Sequence, residues 1–328
     1  MHATATVFYT PDSDDVRYLP EGPAPLDTRW PWPGNWLGWV GIQHGATSEV
    51  GSMNFLNLDT RENRHIPLPG RPGFWAETNH AGVLFLGMER EIILLDARGD
   101  VPVVVQTGMT IHQNPRTIIN DGLATPFGAV FGTKDLRFEE GLGHLYLYRN
   151  GASELATLRG DQVCSNGKIA WQEESEWVLL DIDSPTRKIV KYRMDVAAGT
   201  LTPPETLVDF NHEAHVPDGM RPTPDGNSLV VAFYNPEDVA HGIARQINIA
   251  TGETEFEWHT PGAPRVTCPA FVEHEGRVKL MLTTAHEGAP PEIRANQPHA
   301  GALFLGDTSF STPLNPRFQV NVDRWITP

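Results

Sequence analysis

The chain has 328 residues, 40% hydrophobic and 20% charged, the balance of a soluble globular protein with a sizeable core. Its 41 acidic residues outnumber 25 basic ones for a net charge of −16, which repels phosphate backbones and, without a basic cluster, argues against a nucleic-acid partner. The only two cysteines, Cys164 and Cys268, exclude a Cys-pair zinc site and make a poor disulfide framework, so both are expected as buried thiols.

The first ten residues lack a basic segment followed by an apolar run, and no apolar stretch approaches the roughly 20 residues that span a bilayer. The sequence therefore reads as cytoplasmic, with no membrane partner. Helical signals are scarce, and 28 Pro and 30 Gly are spread evenly along the chain. Between them lie short runs with strand character: Leu37–Ile42, Ser52–Leu58, Val83–Met88, Ile92–Asp96, Ala129–Gly132, His144–Tyr148, Lys168–Trp171, Trp177–Asp181, Ile189–Arg193, Ser228–Tyr234, Ile243–Ile249, Val278–Thr284 and Gly301–Leu305. Many short strands without helices between them indicate an all-β sandwich, barrel or propeller.

Weak internal repetition selects the propeller. The phrases at Leu58–Asn63, Asp195–Gly199 and Asn248–Gly252 each follow one strand and precede another, as the outer hairpin of a blade does. At about fifty residues per blade the chain makes six, so the expectation is a single six-bladed β-propeller domain over residues 1–328 with a central metal site. No Trp-Asp or kelch signature is present. One stretch does not read as blade: residues 24–36, APLDTRWPWPGNW, form a Trp/Pro-rich loop. It is either a rigid surface loop packed on neighbouring blades or a wall shaping the substrate site.

Four turn-like motifs carry oxygen-bearing side chains: Glu21-Gly22-Pro23, Asn120-Asp121-Gly122, Ser165-Asn166-Gly167 and Pro217-Asp218-Gly219. Glu21, Asn120, Asn166 and Asp218 follow one another at intervals of 99, 46 and 52 residues, near two, one and one blade lengths. Equivalent loops of successive blades converge on a propeller's central channel, where these oxygens would meet as a ring. An oxygen-only set favours Ca²⁺, Mg²⁺ or Mn²⁺ over thiol-loving metals.

In order and spacing these motifs resemble those of the regucalcin and gluconolactonase family of six-bladed propellers. Phe131-Gly132-Thr133 and Thr267-Cys268-Pro269-Ala270-Phe271 extend the likeness, which runs from about Glu21 to Phe318. The resemblance implies that Glu21, Asn166 and Asp218 bind one divalent cation, Ca²⁺ first, with Mg²⁺, Mn²⁺, Zn²⁺ or Fe²⁺ as alternatives. It also implies that Asn120 contacts substrate or a bound water and that Asp218 is the general base in hydrolysis of a small-molecule sugar-acid lactone. Two departures stand out. Ile118 occupies a substrate-contacting position where the family often has Arg, the nearest here being Arg116, and Lys134 follows Thr133 where Met is common. Ile118 suggests a less polar substrate, or a sugar held by other groups; Lys134 either supplies the missing cation or forms a surface salt bridge.

Among the thirteen His, only His212-x-x-His215 is suggestive, and His215, just before Pro217-Asp218, is a candidate substrate contact. The absence of a Gly-x-Ser-x-Gly elbow disfavours a serine hydrolase. Two other functions remain open at this stage: hydrolysis of a non-sugar lactone or organophosphate ester at the same site, and a non-enzymatic calcium-binding propeller. Nothing in the pattern specifies an oligomer.

Overall fold

Six antiparallel sheets hold almost all the regular structure in a computed structural model that describes residues 1–311 and 317–326. Residues 312–316 and 327–328 of the expected 1–328 domain lie outside the described residues. Strands β1 (His2–Thr4) and β2 (Thr6–Tyr9) open the chain. The first sheet is β3 (Pro20–Pro25), β4 (Trp36–Gly41), β5 (Gly51–Asn57) and β6 (Asn63–Leu68), and the second is β7 (Pro72–Glu77), β8 (Val83–Met88), β9 (Glu91–Asp96) and β10 (Val103–Thr110). The third is β11 (Thr117–Thr125), β12 (Gly128–Asp135), β13 (Gly143–Arg149) and β14 (Ala156–Gln162). The fourth is β15 (Ser165–Glu173), β16 (Glu176–Asp183) and β17 (Lys188–Asp195), with β18 (Thr200–Leu201) and β19 (Glu205–Asp209) both paired to β17. The fifth is β20 (Val216–Pro222), β21 (Ser228–Tyr234), β22 (His241–Asn248) and β23 (Thr254–Pro261); the sixth is β24 (Val266–His274), β25 (Arg277–Thr284) and β26 (Leu303–Asp307).

The architecture is a six-bladed β-propeller. Its sixth blade is completed from the other end of the chain, because β2 pairs antiparallel with β26, Thr6 opposite Leu305. β1 adds in parallel to β23, so the N-terminal strands cover edges that would otherwise be open to pairing. Helix among the described residues is limited to α1 (Pro291–Arg294) and one 3₁₀ turn, Ser184–Thr186.

The chain forms two compact units. One holds Met1–Leu26, Gly34–Arg71 and residues 210–311, and thus the first, fifth and sixth blades; in it β24 packs against β3 and β20. Its core includes Trp39, Leu56, Val230, Trp258, Leu280 and Phe304. The other holds Asp27–Pro33, Pro72–Asp209 and residues 317–326, with β11 packed against β7 and β15. Its core is an aromatic stack: Phe74 on Phe131, Phe131 on Tyr146, and Phe85 on Tyr148, at centroid separations of 5.1, 5.5 and 5.2 Å. β8 and most of β9 are buried on both faces, which is why their sequences, VLFLGM and EIILLD, run apolar without alternating.

The four motifs are not turns between strands. Each lies inside the first strand of its blade, at a β-bulge. The pairing of first to second strand slips between Glu21 and Ala24, Ile119 and Asp121, Ser165 and Lys168, and Pro217 and Met220. The other two blades slip at the corresponding places, Pro72/Phe74 and Val266/Pro269. A bulge re-aims the side chains on it, so one irregularity repeated six times turns the motif residues away from the ladder. The glycines of two motifs serve packing rather than turning. Neither Gly122 nor Gly219 has a positive φ; a Cβ on Gly122 would lie 2.6 Å from the Phe74 ring, and one on Gly219 2.6 Å from Cys268 Sγ.

Candidate functional site

In the unit with blades two to four, Asn120 and Asn166 meet. Asn120 sits on the β11 bulge and donates through Nδ2 to the Ser165 carbonyl and to Asn166 Oδ1, both at 2.9 Å. Asn166 in turn donates through Nδ2 to Ser184 Oγ at 2.7 Å. With that nitrogen anchored, its amide orientation is set and Oδ1 keeps one lone pair for a further partner. Cys164 Sγ flanks both amides, at 3.8 Å from Asn120 Nδ2 and 3.5 Å from Asn166 Nδ2.

Beneath this pair is a buried charged network. Lys168 and Asp181 have no exposed side-chain surface and lie 3.3 Å apart, Nζ to Oδ1. Lys168 Nζ also donates to Ser165 Oγ at 2.8 Å and to the Asn166 carbonyl. Gln162 Nε2 donates to Asp181 Oδ2 at 2.6 Å. Burial pushes the Asp181 carboxyl up, opposed by Lys168. Asp183 accepts the backbone N–H of Cys164 at 2.8 Å and fixes the segment that enters β15; burial pushes its carboxyl up too.

In the other unit, Glu21 and Asp218 stand on β3 and β20, the strands that flank β24. Glu21 Oε2 accepts the N–H of Gly22 at 2.7 Å. The preceding carbonyl, that of Pro20, is held by Thr267 Oγ1 at 2.7 Å, which ties the Glu21 strand to β24. Tyr234 lies opposite Val216 in the β20–β21 ladder, and its hydroxyl donates to the Glu287 carbonyl at 3.1 Å. Burial first, then Glu287 and Asp218, push the Tyr234 phenol well above its usual range.

Burial separates the candidates. Glu21, Asn120, Asn166 and Asp218 retain 8, 6, 7 and 7% of their surface, enough for a polar tip to meet a ligand, whereas Ile118 has none. Ile118 is therefore packed in the core. Lys134 is 4% exposed, pairs with Ile118 in the ladder and bridges to Cys164, and its ammonium lies 5.6 Å from the Phe138 ring. No ion pair to it occurs among the described residues. Arg116 is occupied instead by Asp135, at 2.7 Å, and Glu140, at 2.6 Å.

His215 packs edge-on against Phe233 with a 4.7 Å centroid separation, and its Nε2 is 3.2 Å from Glu213 Oε2. Glu213 continues to Arg245 at 2.6 Å and Arg245 to Glu257 at 2.8 Å, so His215 belongs to a charged chain along the fifth blade. His212 projects outward at 76% side-chain exposure. Among the described residues, no group of three or more His, Cys, Asp or Glu is disposed to hold a metal ion; the expected ligand set joins two carboxylates to an amide.

The Trp-rich stretch meets the second blade at the end of β7. Asp27 N–H donates to Glu77 Oε1 at 2.9 Å, and Trp30 borders Thr78, His80 and Gly82 in a small cavity. Glu77 ends β7, whereas the bulge of β7 is at its beginning. Asp121 joins the candidates from the structure alone. It is 6% exposed, accepts the Gly122 N–H at 2.6 Å as Glu21 does that of Gly22, and directly precedes a bulge glycine. Aligning the motifs on their glycines rather than on their asparagines would have found it.

The sequence signature of the SMP-30/Gluconolactonase/LRE-like region matches residues 27–286. The Bacillus subtilis protein named sugar lactone lactonase YvrE is 30% identical over 223 residues, covering 67% of this chain and 72% of that one. L-arabinolactonase of Azospirillum brasilense is 26% identical over 257 residues, 77% and 79% of the two chains. Among solved structures, a calcium-binding regucalcin from Agrobacterium tumefaciens superposes with a TM-score of 0.78 at 18% identity, covering 97% of this chain and 98% of that one. At that identity the superposition speaks to fold.

Proposed function

The chain belongs to the SMP-30/gluconolactonase/LRE-like family, and we propose that it is a metal-dependent lactonase opening the ring of a sugar-acid lactone. The observation that carries the reading is equivalence of position: Glu21, Asn166 and Asp218 each directly precede a glycine on the bulged first strand of a blade. The residues fit a hard divalent cation. All three offer oxygen, and the Ser184 hydrogen bond leaves Asn166 Oδ1, rather than its nitrogen, able to face one.

When bound, the cation supplies Lewis acidity toward the ring carbonyl. The chain's own groups do the rest. Asp218 accepts a proton from the water whose oxygen adds to that carbonyl carbon, and returns it to the ring oxygen as the ring C–O bond breaks. The product is a hydroxy acid, which at neutral pH releases one proton. Asn120, with its nitrogen committed to Ser165 and Asn166, offers Oδ1 as acceptor for a substrate hydroxyl. Lys134 supplies a donor on the strand paired with β11. These polar groups favour a hydroxylated substrate.

The test is proton release from a panel of five- and six-membered sugar lactones, using metal-stripped protein resupplied with Ca²⁺, Mg²⁺, Mn²⁺, Zn²⁺ or Fe²⁺ in turn. Turnover that needs a cation supports the reading; cation binding without turnover of any lactone contradicts it.

A further inference from the structure

We propose that Lys168, held by Asp181, is the positioning residue of the Asn166 corner: its ammonium fixes the bulge backbone so that the Asn166 side chain is presented in one orientation. The inference rests on the cation-binding role proposed for Asn166 above.

The bulge creates the need. Ser165 pairs with Asp183 and Lys168 with Asp181, leaving Asn166 and Gly167 without partners on β16. A buried carbonyl without a ladder partner costs free energy unless another donor reaches it. Lys168 Nζ is that donor for the Asn166 carbonyl, and the same ammonium takes Ser165 Oγ at 2.8 Å. Ser165 in turn offers its carbonyl to Asn120 at 2.9 Å, and Asn120 reaches Asn166 Oδ1. One buried cation thus secures backbone and hydroxyl at the two residues whose acceptors orient both amides.

Fold stability alone gives little reason for such a pair. Desolvating a lysine and an aspartate together is costly, and apolar residues of similar volume commonly do as well or better. Here the pair has no exposed side-chain surface and sits within the bulge itself. Asp181 is fixed from behind by Gln162, so the ammonium is held rather than merely neutralised.

The experiment compares wild type with Lys168→Met/Asp181→Leu, which removes both charges, and with Lys168→Met, which strands the carboxylate. Three readouts are taken: thermal midpoint, calorimetric Ca²⁺ and Mn²⁺ titrations well below it, and the Asn166 side-chain amide resonances in asparagine-labelled protein. The double variant is expected to fold and to bind the cation roughly tenfold more weakly, as loss of a supporting shell does. Its kcat at saturating cation should stay within about threefold of wild type, and its Asn166 amide should lose the single, slowly exchanging pair of signals expected of wild type. Cation affinity within twofold of wild type with an unchanged Asn166 amide overturns the proposal, even if the midpoint falls. Should wild type bind no cation, the metal reading fails on its own; the amide spectra still decide, persistence in the double variant refuting the positioning and loss supporting it.

Discussion

Replacing Gly219 with Ala tests whether the motif glycines exist for packing between first strands. The added Cβ would lie 2.6 Å from Cys268 Sγ, 2.8 Å from Cys268 Cβ and 2.8 Å from the Thr267 carbonyl oxygen. Two of those three atoms are main chain or Cβ and cannot rotate away, so β20 or β24 must move. Overpacking of this kind costs about 1–3 kcal/mol, and the rigid contacts place Gly219→Ala near about 3 kcal/mol. For a chain of this size that lowers the thermal midpoint by roughly 6–12 °C, at about 2–4 °C per kcal/mol. Gly226 provides the contrast: it has a φ of +72° and nothing within 4 Å of an added Cβ, so Gly226→Ala meets only backbone strain of about 1–2 kcal/mol. Urea unfolding of both variants, and of Gly219→Ala combined with Cys268→Ala, separates the causes. Removing Sγ relieves the shortest contact, so the double variant should recover about 1 kcal/mol relative to additivity. If Gly219→Ala costs no more than Gly226→Ala and is additive with Cys268→Ala, the packing argument is refuted.

Further predictions follow from the same geometry. Ser184→Ala removes the anchor of Asn166 Nδ2 and should cost about 1 kcal/mol in stability while weakening cation binding in calorimetry; unchanged affinity would show that the anchor is dispensable. Ile118→Val should cost about 0.5–1.5 kcal/mol in urea unfolding and leave KM alone, since the side chain has no exposed surface; a KM change above about fivefold would restore it as a substrate contact. Asp135 supplies a pH dependence. Burial alone would raise its carboxyl, but Arg116 and the backbone N–H groups of Arg137, Glu139 and Glu140 outweigh it and lower it to about 2. Its folded value is below its unfolded one, so its stabilisation is complete above about pH 4–5 and is lost as pH falls toward 2. The midpoint gap between wild type and Asp135→Asn should therefore be widest near neutrality and narrow below pH 4; a constant gap would contradict the assignment.

The second and third strands of the blades are legible in the sequence because many of them are buried on both faces and so run apolar. Val83–Met88 and Ser228–Tyr234 are read with the bounds they have in the structure. First strands are the least legible, because a bulge filled with Gly, Pro, Asn and Asp has the composition of a turn: β3, β11 and β20 read as loops for that reason, and of β15 only Lys168–Trp171, past its bulge, reads as strand. Outer strands escaped for the opposite reason: β6, NRHIPL, and β14, ATLRGDQ, are largely exposed and polar. The same bulges that hid the first strands drew attention to Glu21, Asn120, Asn166 and Asp218, because unusual residues recurred at blade spacing. Lys168 and Asp181 were not legible as a pair. Each lies within a run read as strand, and only the Ser165/Lys168 register slip explains why a charge belongs there. The burial of Ile118 is not legible either, because its place beside a motif says nothing of the face it turns to the core.

The most direct test of the central claim follows hydrolysis of a sugar lactone in a pH-stat, with metal-free protein titrated with Ca²⁺ in wild type and Asp218→Asn. The account predicts turnover that rises with added cation in wild type, and a fall of several orders of magnitude in Asp218→Asn with its thermal midpoint preserved. Equal turnover with and without cation, or an Asp218→Asn variant that keeps most of its activity, would contradict it.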